Sequence, residues 1–297
     1  MTDNAENKRI GISIVVPCFN EGKFIGQALH ALLAQDFTDS YEIIVADNGS
    51  SDNTRSVVRE IQQNHTDIRL IDASDRRGAA HARNSGVAVA QGRAVLFMDA
   101  DDEASPGWLQ AMGDALYEHD LVACGYDTQS LNESWQSESW ANGQNGGLNN
   151  FDPPFLPWSG AGALGVVRAK HLEVGGFDES LMVLEDADYC WRVQMTGVVM
   201  HFVQATNIRY RFPKKYSQMY KQMRRLGQYH ALLYRRYLDR GMPRLQQPVA
   251  SAYRTWKRWF RRVYRVKTRA QKAKLIRDLG WNVGRLYGSI RYRVMDF

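Results

Sequence analysis

No stretch of this chain approaches the run of about 20 apolar residues that a membrane-crossing helix needs. The longest, Ile12 to Phe19 and Ala161 to Val167, stop far short, so no spanning helix is expected. The basic-then-apolar order of a secretory leader is missing too: the first residues include Asp3, Asn4 and Glu6 and run straight into a strand-like segment, which predicts a cytoplasmic protein. Cysteine is scarce. Cys18, Cys124 and Cys190 are odd in number and widely spaced, which excludes a disulfide framework or a zinc-ligand pattern and predicts buried thiols. Acidic residues are nearly absent from one end. Residues 209–297 hold 3 Asp and Glu against 25 Lys and Arg, while residues 1–208 hold 29 against 13, so regional charges of +22 and −16 underlie the formal +6. That division predicts carboxylate chemistry in the first part and an anionic partner for the second: phospholipid, lipid-linked phosphate or nucleic acid.

What is present suits one sizeable core with an appendage: 297 residues, 44% of them hydrophobic. Ile12 to Val16, Glu42 to Ala46, Ile68 to Ile71 and Ala94 to Met98 read as buried strands. They alternate with amphipathic segments at Phe24 to Ala34, Thr54 to Gln63 and Ala79 to Ala90. Strand and helix in alternation predict an α/β fold with a mostly parallel sheet, whose ligands gather beyond the C-terminal strand ends. The residues there are Pro17 to Glu21, Asp47 to Asp52, Asp75 to Gly78 and Asp99 to Asp102. A strand is expected near Leu121 to Gly125. Asp127 to Trp158, rich in Ser, Asn, Gly and Trp, reads either as a sugar-facing loop or as a disordered insertion. A strand at Gly162 to Arg168, a turn at Gly175 to Glu179, a helix from Glu185 to about Thr196 and a pair of strands near Val198 to Val203 and Asn207 to Phe212 complete the domain.

Two carboxylate clusters carry the chemistry. Phe97-Met98-Asp99-Ala100-Asp101-Asp102 closes an apolar strand, where an Asp can hold a divalent ion against a diphosphate; alone, such a pair is equally a solvated turn or a cap. Leu184-Glu185-Asp186-Ala187-Asp188 opens a helix, where carboxylates either satisfy the helix dipole or supply the base that takes a proton from an acceptor hydroxyl.

In order along the chain, Ser13 to Glu21, Val45 to Thr54, Arg77 to Gly86, the Asp99 cluster, Gly175 to Glu179 and Glu185-Asp186 resemble the family 2 glycosyltransferases over roughly residues 10 to 212. The resemblance implies a GT-A fold and inverting transfer from a nucleotide diphosphate sugar, with Mn or Mg as cofactor. It implies that Phe19 lies against the nucleobase, that Asp47 accepts from the base edge, and that Pro17, Asn20 and Glu21 shape the pocket. Uracil fits that arrangement, with thymine and guanine as alternatives. Arg77 and Arg83 are candidates near the phosphates, Arg83 equally as an ion-pair partner. Asp101 would hold the metal, with Asp99 serving it and, with Ala100, the ribose side. Asp186 is the candidate base with Glu185 beside it raising its pKa, and Asp188 and Arg192 position the helix. Gly175, Gly176 and Phe177 read as a structural turn. Where many members place a metal-side His in the last strand, this chain has Arg209 and Tyr210, and His201 falls too early.

From Lys214 onward the chain reads as a basic helical extension, residues 213–297, with a stripe of Tyr216, Met219, Tyr220, Met223 and Leu226 packed on the enzyme domain. Trp256, Trp259, Phe260 and Val263 share one face fringed by Arg254, Lys257, Arg258, Arg261, Arg262 and Arg265. This describes an interfacial helix on anionic lipid, a packed helix with a solvated basic face, or a nucleic-acid surface; the first is preferred and nucleic acid is not expected as a partner. The whole predicts a transferase peripheral to the inner face of the cell membrane, adding one sugar to a lipid-linked or envelope glycan acceptor. The Gln-x-x-Arg-Trp motif and spanning helices of processive relatives are lacking. A sugar-nucleotide nucleotidyltransferase would want a Gly-rich basic loop where Cys18-Phe19-Asn20-Glu21 stands; a non-catalytic nucleotide-sugar binder would not need both carboxylate sites.

Overall fold

The computed structural model describes residues 11–140, 144 and 146–296. The acidic N-terminal residues, residue 10 at the expected domain boundary, and positions 141–143 and 145 of the Asp127 to Trp158 segment lie outside the described residues. Two compact units emerge. The first takes the chain up to Asp127 with Gln144–Leu148 and Trp158–Tyr210; the second takes Thr128–Gly143, Asn149–Pro157 and the chain from Arg211.

The first unit is an α/β sandwich built on one eight-stranded sheet. In chain order it contains β1 (Ile12–Cys18), α1 (Ile25–Leu33), β2 (Tyr41–Asp47), α2 (Thr54–Gln62), β3 (Ile68–Asp72), α3 (Ala79–Val89), β4 (Ala94–Phe97), β5 (Glu103–Ala104), α4 (Trp108–Glu118), β6 (Leu121–Asp127), β7 (Leu164–Val167), α6 (Arg168–Glu173), α7 (Glu185–Gln194) and β8 (Met200–Arg209). The sheet order is β3-β2-β1-β4-β7-β6-β8-β5. Four of its seven pairings are parallel, and β7 enters antiparallel between β4 and β6. Alternation along the central strands explains their continuous apolar runs, because both faces are covered. Ile12, Ile14 and Val16 join one core with Leu29, Ile43, Leu96 and Trp108, while Val15, Ile44, Val95 and Phe97 join another with Phe177, Tyr189 and Val193.

The last expected pair of strands is one strand. β8 pairs with β6 throughout, and the register jumps from Cys124↔Val203 to Gly125↔Asn207, so a bulge absorbs the polar residues that read as a turn. Helices α4 and α6 had no counterpart in the expected pattern. All three cysteines are free and buried.

The second unit holds α5 (Ser134–Ser139), α8 (Tyr216–Tyr237), α9 (Pro248–Val263) and α10 (Arg269–Tyr292). Its α5 segment is helical, so this part of the Asp127 to Trp158 stretch is not an insertion without structure. Trp140 is stacked between Phe212, 4.6 Å away, and the Arg277 guanidinium, while Arg269 lies 3.9 Å over Trp135. Helices α8 and α10 touch backbone to backbone. A Cβ on Gly280, Gly284 or Gly288 would come within 3 Å of the carbonyl oxygen of Tyr220, Arg224 or Gln228 respectively. The matching steps of four on both helices show that they run parallel. The C-terminal segment is pinned by Asp296, which is fully buried against His230 Nδ1 at 2.7 Å and Arg285 Nη2 at 2.8 Å. No helix among the described residues is long and apolar enough to cross a membrane.

Candidate active site

The C-terminal ends of β1, β2 and β4 and the N-terminal end of α3 enclose a cleft of about 260 Å³ in the first unit. Seven of the residues singled out in the sequence line it: Pro17, Phe19, Glu21, Arg83, Asp99, Ala100 and Asp101. Cys18, Asn48, Ala79 and Ala82 line it as well. Asn20, Asp47, Arg77, Glu185 and Asp186 do not form its wall.

Its shape begins with loop chemistry. Asn20 adopts φ 58°, a left-handed conformation that Asn tolerates, and its carboxamide oxygen accepts from the Ser51 N–H at 2.8 Å and the Asp52 N–H at 3.3 Å. Its own N–H donates to Ser50 Oγ at 2.9 Å, so the loop after β1 is laced to the loop after β2, and the Phe19 ring stands half exposed above the cleft. Asp47 ends β2 nearly fully buried. Burial would raise its pKa, but hydrogen bonds from Ser50 and Arg55 outweigh that and hold the carboxyl below its ordinary value. The Cys18 Sγ lies 3.6 Å from Asp47 Oδ1; burial, then the Asp47 charge, pushes the thiol so far up that it stays protonated.

Asn48 was not singled out in the sequence, yet it organises the end of the cleft beside α3. Its side-chain nitrogen donates to the carbonyls of Ala73 and Arg76, and its oxygen accepts from the Gly78 N–H at 2.9 Å. Gly78, at φ 136°, turns the chain into α3 in a conformation open to glycine. The first turn of α3 thereby faces the cleft at Ala79 and Ala82, a geometry suited to anions. The glycine before α3 is legible in the sequence, but the Asn48 bonds that hold it span 25 to 30 residues and are not. Arg77 is exposed and outside the lining.

Arg83 joins the two carboxylate clusters. From α3 its Nη2 donates to Asp99 Oδ1 and its Nη1 to Glu185 Oε1, both at 2.8 Å, with the guanidinium buried. Desolvation opposes its charge, but Asp99 and Glu185 prevail and raise its pKa. Leu184 stands at φ 60°, uncommon for a residue with Cβ, and this kink starts α7 so that Glu185 and Asp186 fall in the first turn. Burial first, and the Glu185 charge second, push the Asp186 carboxyl up to about 7, against the Ala187 N–H and Arg83, which pull it down. The sequence assigned that rise to Glu185; desolvation is the larger cause. The Tyr126 phenol senses both clusters: burial, then the charges of Asp99 and Asp102, with Asp186 further behind, raise its pKa far above the ordinary value.

Other residues hold the frame. Arg192 binds Asp188 at 2.7 Å and donates to the Val174 and Gly176 carbonyls, which fixes the two-glycine turn before Phe177. Phe177 is buried against Phe97 and Tyr189. His201 is stacked on His119 at 4.0 Å, and Tyr210 is set edge-on to Tyr126 at 5.0 Å. Among the described residues no group of three or more His, Cys, Asp or Glu side chains is gathered to hold a metal. Asp99 and Asp101 on the cleft wall are hard oxygen donors; two carboxylates completed by substrate phosphates suit Mg or Mn.

The fold is shared with solved glycosyltransferases. The mannosyltransferase PcManGT from Pyrobaculum calidifontis, in complex with GDP-Man and Mn2+, superposes with a TM-score of 0.64 at 20% identity, covering 97% of this chain and 88% of that one. S. aureus TarS in complex with UDP-GlcNAc gives 0.54 at 17% identity, covering 96% and 93%. In sequence, the Escherichia coli uncharacterized glycosyltransferase YibD is 33% identical over 138 residues, 45% of this chain and 39% of that protein. The Campylobacter jejuni GalNAc(5)-diNAcBac-PP-undecaprenol beta-1,3-glucosyltransferase is 36% identical over 102 residues, 34% and 33% of the two chains. The matches thus span between a third and two fifths of these relatives' lengths. Residues 13–168, just over half of the chain, match the sequence model of glycosyl transferase family 2. With that match laid over a GT-A-type sheet and its acidic cleft, the chain belongs to glycosyl transferase family 2.

Proposed function

We propose that this protein moves one sugar, with inversion, from a nucleotide diphosphate donor to a hydroxyl of a lipid-linked or envelope glycan acceptor. The observation that carries the reading is the Arg83 bridge, which ties the donor cleft at Asp99 to the helix that presents Asp186. A carboxyl pushed up to about 7 is matched to proton abstraction near neutral pH. Asp186 takes the acceptor hydroxyl's proton as that oxygen bonds to the anomeric carbon, and the bond from that carbon to the diphosphate oxygen breaks. Glu185, held by Arg83, fixes the first turn of α7. A divalent ion held by Asp101 and Asp99 would neutralise the departing diphosphate. Phe19 would stack on the base. Asp47 Oδ1, held among the described residues by the Cys18 thiol and a long contact from the Ser50 N–H, keeps capacity for a base N–H, and uracil is the base proposed. Ala100 with Asp99 would border the ribose, and the α3 N-terminus the phosphates, with Arg77 reaching in when donor binds.

The second unit adds a membrane surface to this reading. Helix α9 buries none of its residues, and Val249, Tyr253, Phe260 and Val263 are exposed on one face, continued by Tyr264. Trp259 is turned inward, its indole N–H donating to the Leu275 carbonyl at 3.0 Å, so the outward apolar set differs from the Trp-centred one read in the sequence. With its cationic flank this face suits anionic lipid at the inner surface of the cell membrane.

Nucleotide release from a UDP-sugar tests the catalytic roles. Asp186→Asn is expected to lower turnover by about 10²–10⁴-fold with donor affinity nearly unchanged, while Asp101→Asn lowers both. Full activity in Asp186→Asn would reject it as the base.

A further inference from the structure

We propose that the cleft between the end of α9 and the start of α10 seats the phosphate of an anionic lipid headgroup; this rests on the membrane-surface reading of α9. The cleft holds about 260 Å³, and its polar wall is Arg262, Arg265, Gln271, Lys274 and Asp278. The single carboxylate is already matched, since Arg262 Nη1 donates to Asp278 Oδ2 at 2.9 Å. Arg265 makes no ion pair among the described residues and Lys274 acts on Asp278 only through space, so three cations face one carboxylate and the cleft keeps an excess of positive charge. The Gln271 side-chain oxygen accepts from the Lys267 and Thr268 N–H groups, leaving its NH2 as a donor. The first turn of α10 adds the positive end of a 24-residue helix.

Donors and cations without a carboxylate to spare define a phosphate seat. Two features select a lipid over free phosphate: Val266 and Leu275 give the cleft an apolar wall, and the helix that forms its rim carries the exposed Val249, Tyr253, Phe260, Val263 and Tyr264 face, which would lie among the acyl chains. A headgroup held here would fix the depth and rotation of α9 at the surface, where diffuse charge attraction alone would leave both free.

The test pairs vesicles with a dispersed lipid, using the full chain. Wild type should sediment with vesicles of phosphatidylcholine and phosphatidylglycerol; failure to do so overturns the membrane reading and the seat together. Dihexanoyl phosphatidylglycerol below its micelle concentration should bind saturably at one site, and Arg265→Gln with Lys274→Gln should weaken that binding at least about tenfold. The charge-matched control Arg254→Gln with Arg258→Gln should stay within about twofold, because without a membrane surface there is no diffuse potential to lose. Equal losses in both pairs, or no saturable binding while vesicles still bind, overturn the seat and leave the membrane reading standing. Inorganic phosphate binding as tightly as the lipid, or a single-stranded oligonucleotide displacing it, overturns the lipid assignment. Thermal melting of each variant within the wild-type range establishes that the losses are not unfolding.

Discussion

Among single residues, Asp186 and Arg83 set the chemistry in the proposed mechanism and should leave signatures in stability. The folded-state pKa of Asp186 is raised, so the native state holds its proton more tightly than the unfolded chain does. The stability this contributes is complete below the unfolded carboxyl value near 4 and is lost as pH rises through about 7. Asn cannot ionise. Asp186→Asn should therefore gain melting temperature relative to wild type between pH 5 and pH 8, while wild-type kcat/KM should rise over the same range; a melting gap that does not change with pH would mean the carboxyl is not perturbed. Arg83→Lys keeps one charge but cannot span Asp99 and Glu185. It should fold and lose about 10²-fold in kcat, while Arg83→Met, leaving Glu185 buried without its cation, should cost about 3–5 kcal/mol in urea unfolding.

At the scale of elements, the strands of the donor half could be read directly, because strands buried on both faces write themselves as Val and Ile runs, as in Ile12 to Val16 and Glu42 to Ala46. The clusters at Asp99 and Asp186 were legible for the same reason: they stand at element ends. What stayed hidden depends on partners distant in sequence. The β8 bulge follows from pairing with β6, the Trp140 stack from Phe212 and Arg277, and the Arg83 bridge from two carboxylates on other elements. Asp47 was assigned to the nucleobase from its strand-end position, and its commitment to Arg55 and Ser50 appeared only with the loops in place. The α8–α10 contact was equally invisible, since Gly280, Gly284 and Gly288 count only once Tyr220, Arg224 and Gln228 lie opposite. Gly284→Ala should cost about 1–3 kcal/mol of stability and lower amide protection in α8 and α10 first, as hydrogen exchange would show; unchanged protection would refute the close packing.

For the whole molecule, the proposed function divides the charge into two jobs: carboxylates around a donor cleft in one unit, cations with an apolar helix face in the other. Salt should therefore act on them separately. Raising ionic strength should release the protein from anionic vesicles while sugar transfer to a short soluble acceptor changes little. The cleft beneath Phe19 is proposed to take a nucleotide diphosphate, and melting temperature against a panel of nucleotide diphosphates with Mn is the decisive measurement, since a ligand that binds only the folded state raises that temperature. UDP is expected to give the largest increase, and EDTA to remove most of it. A flat response across the panel would contradict the donor assignment.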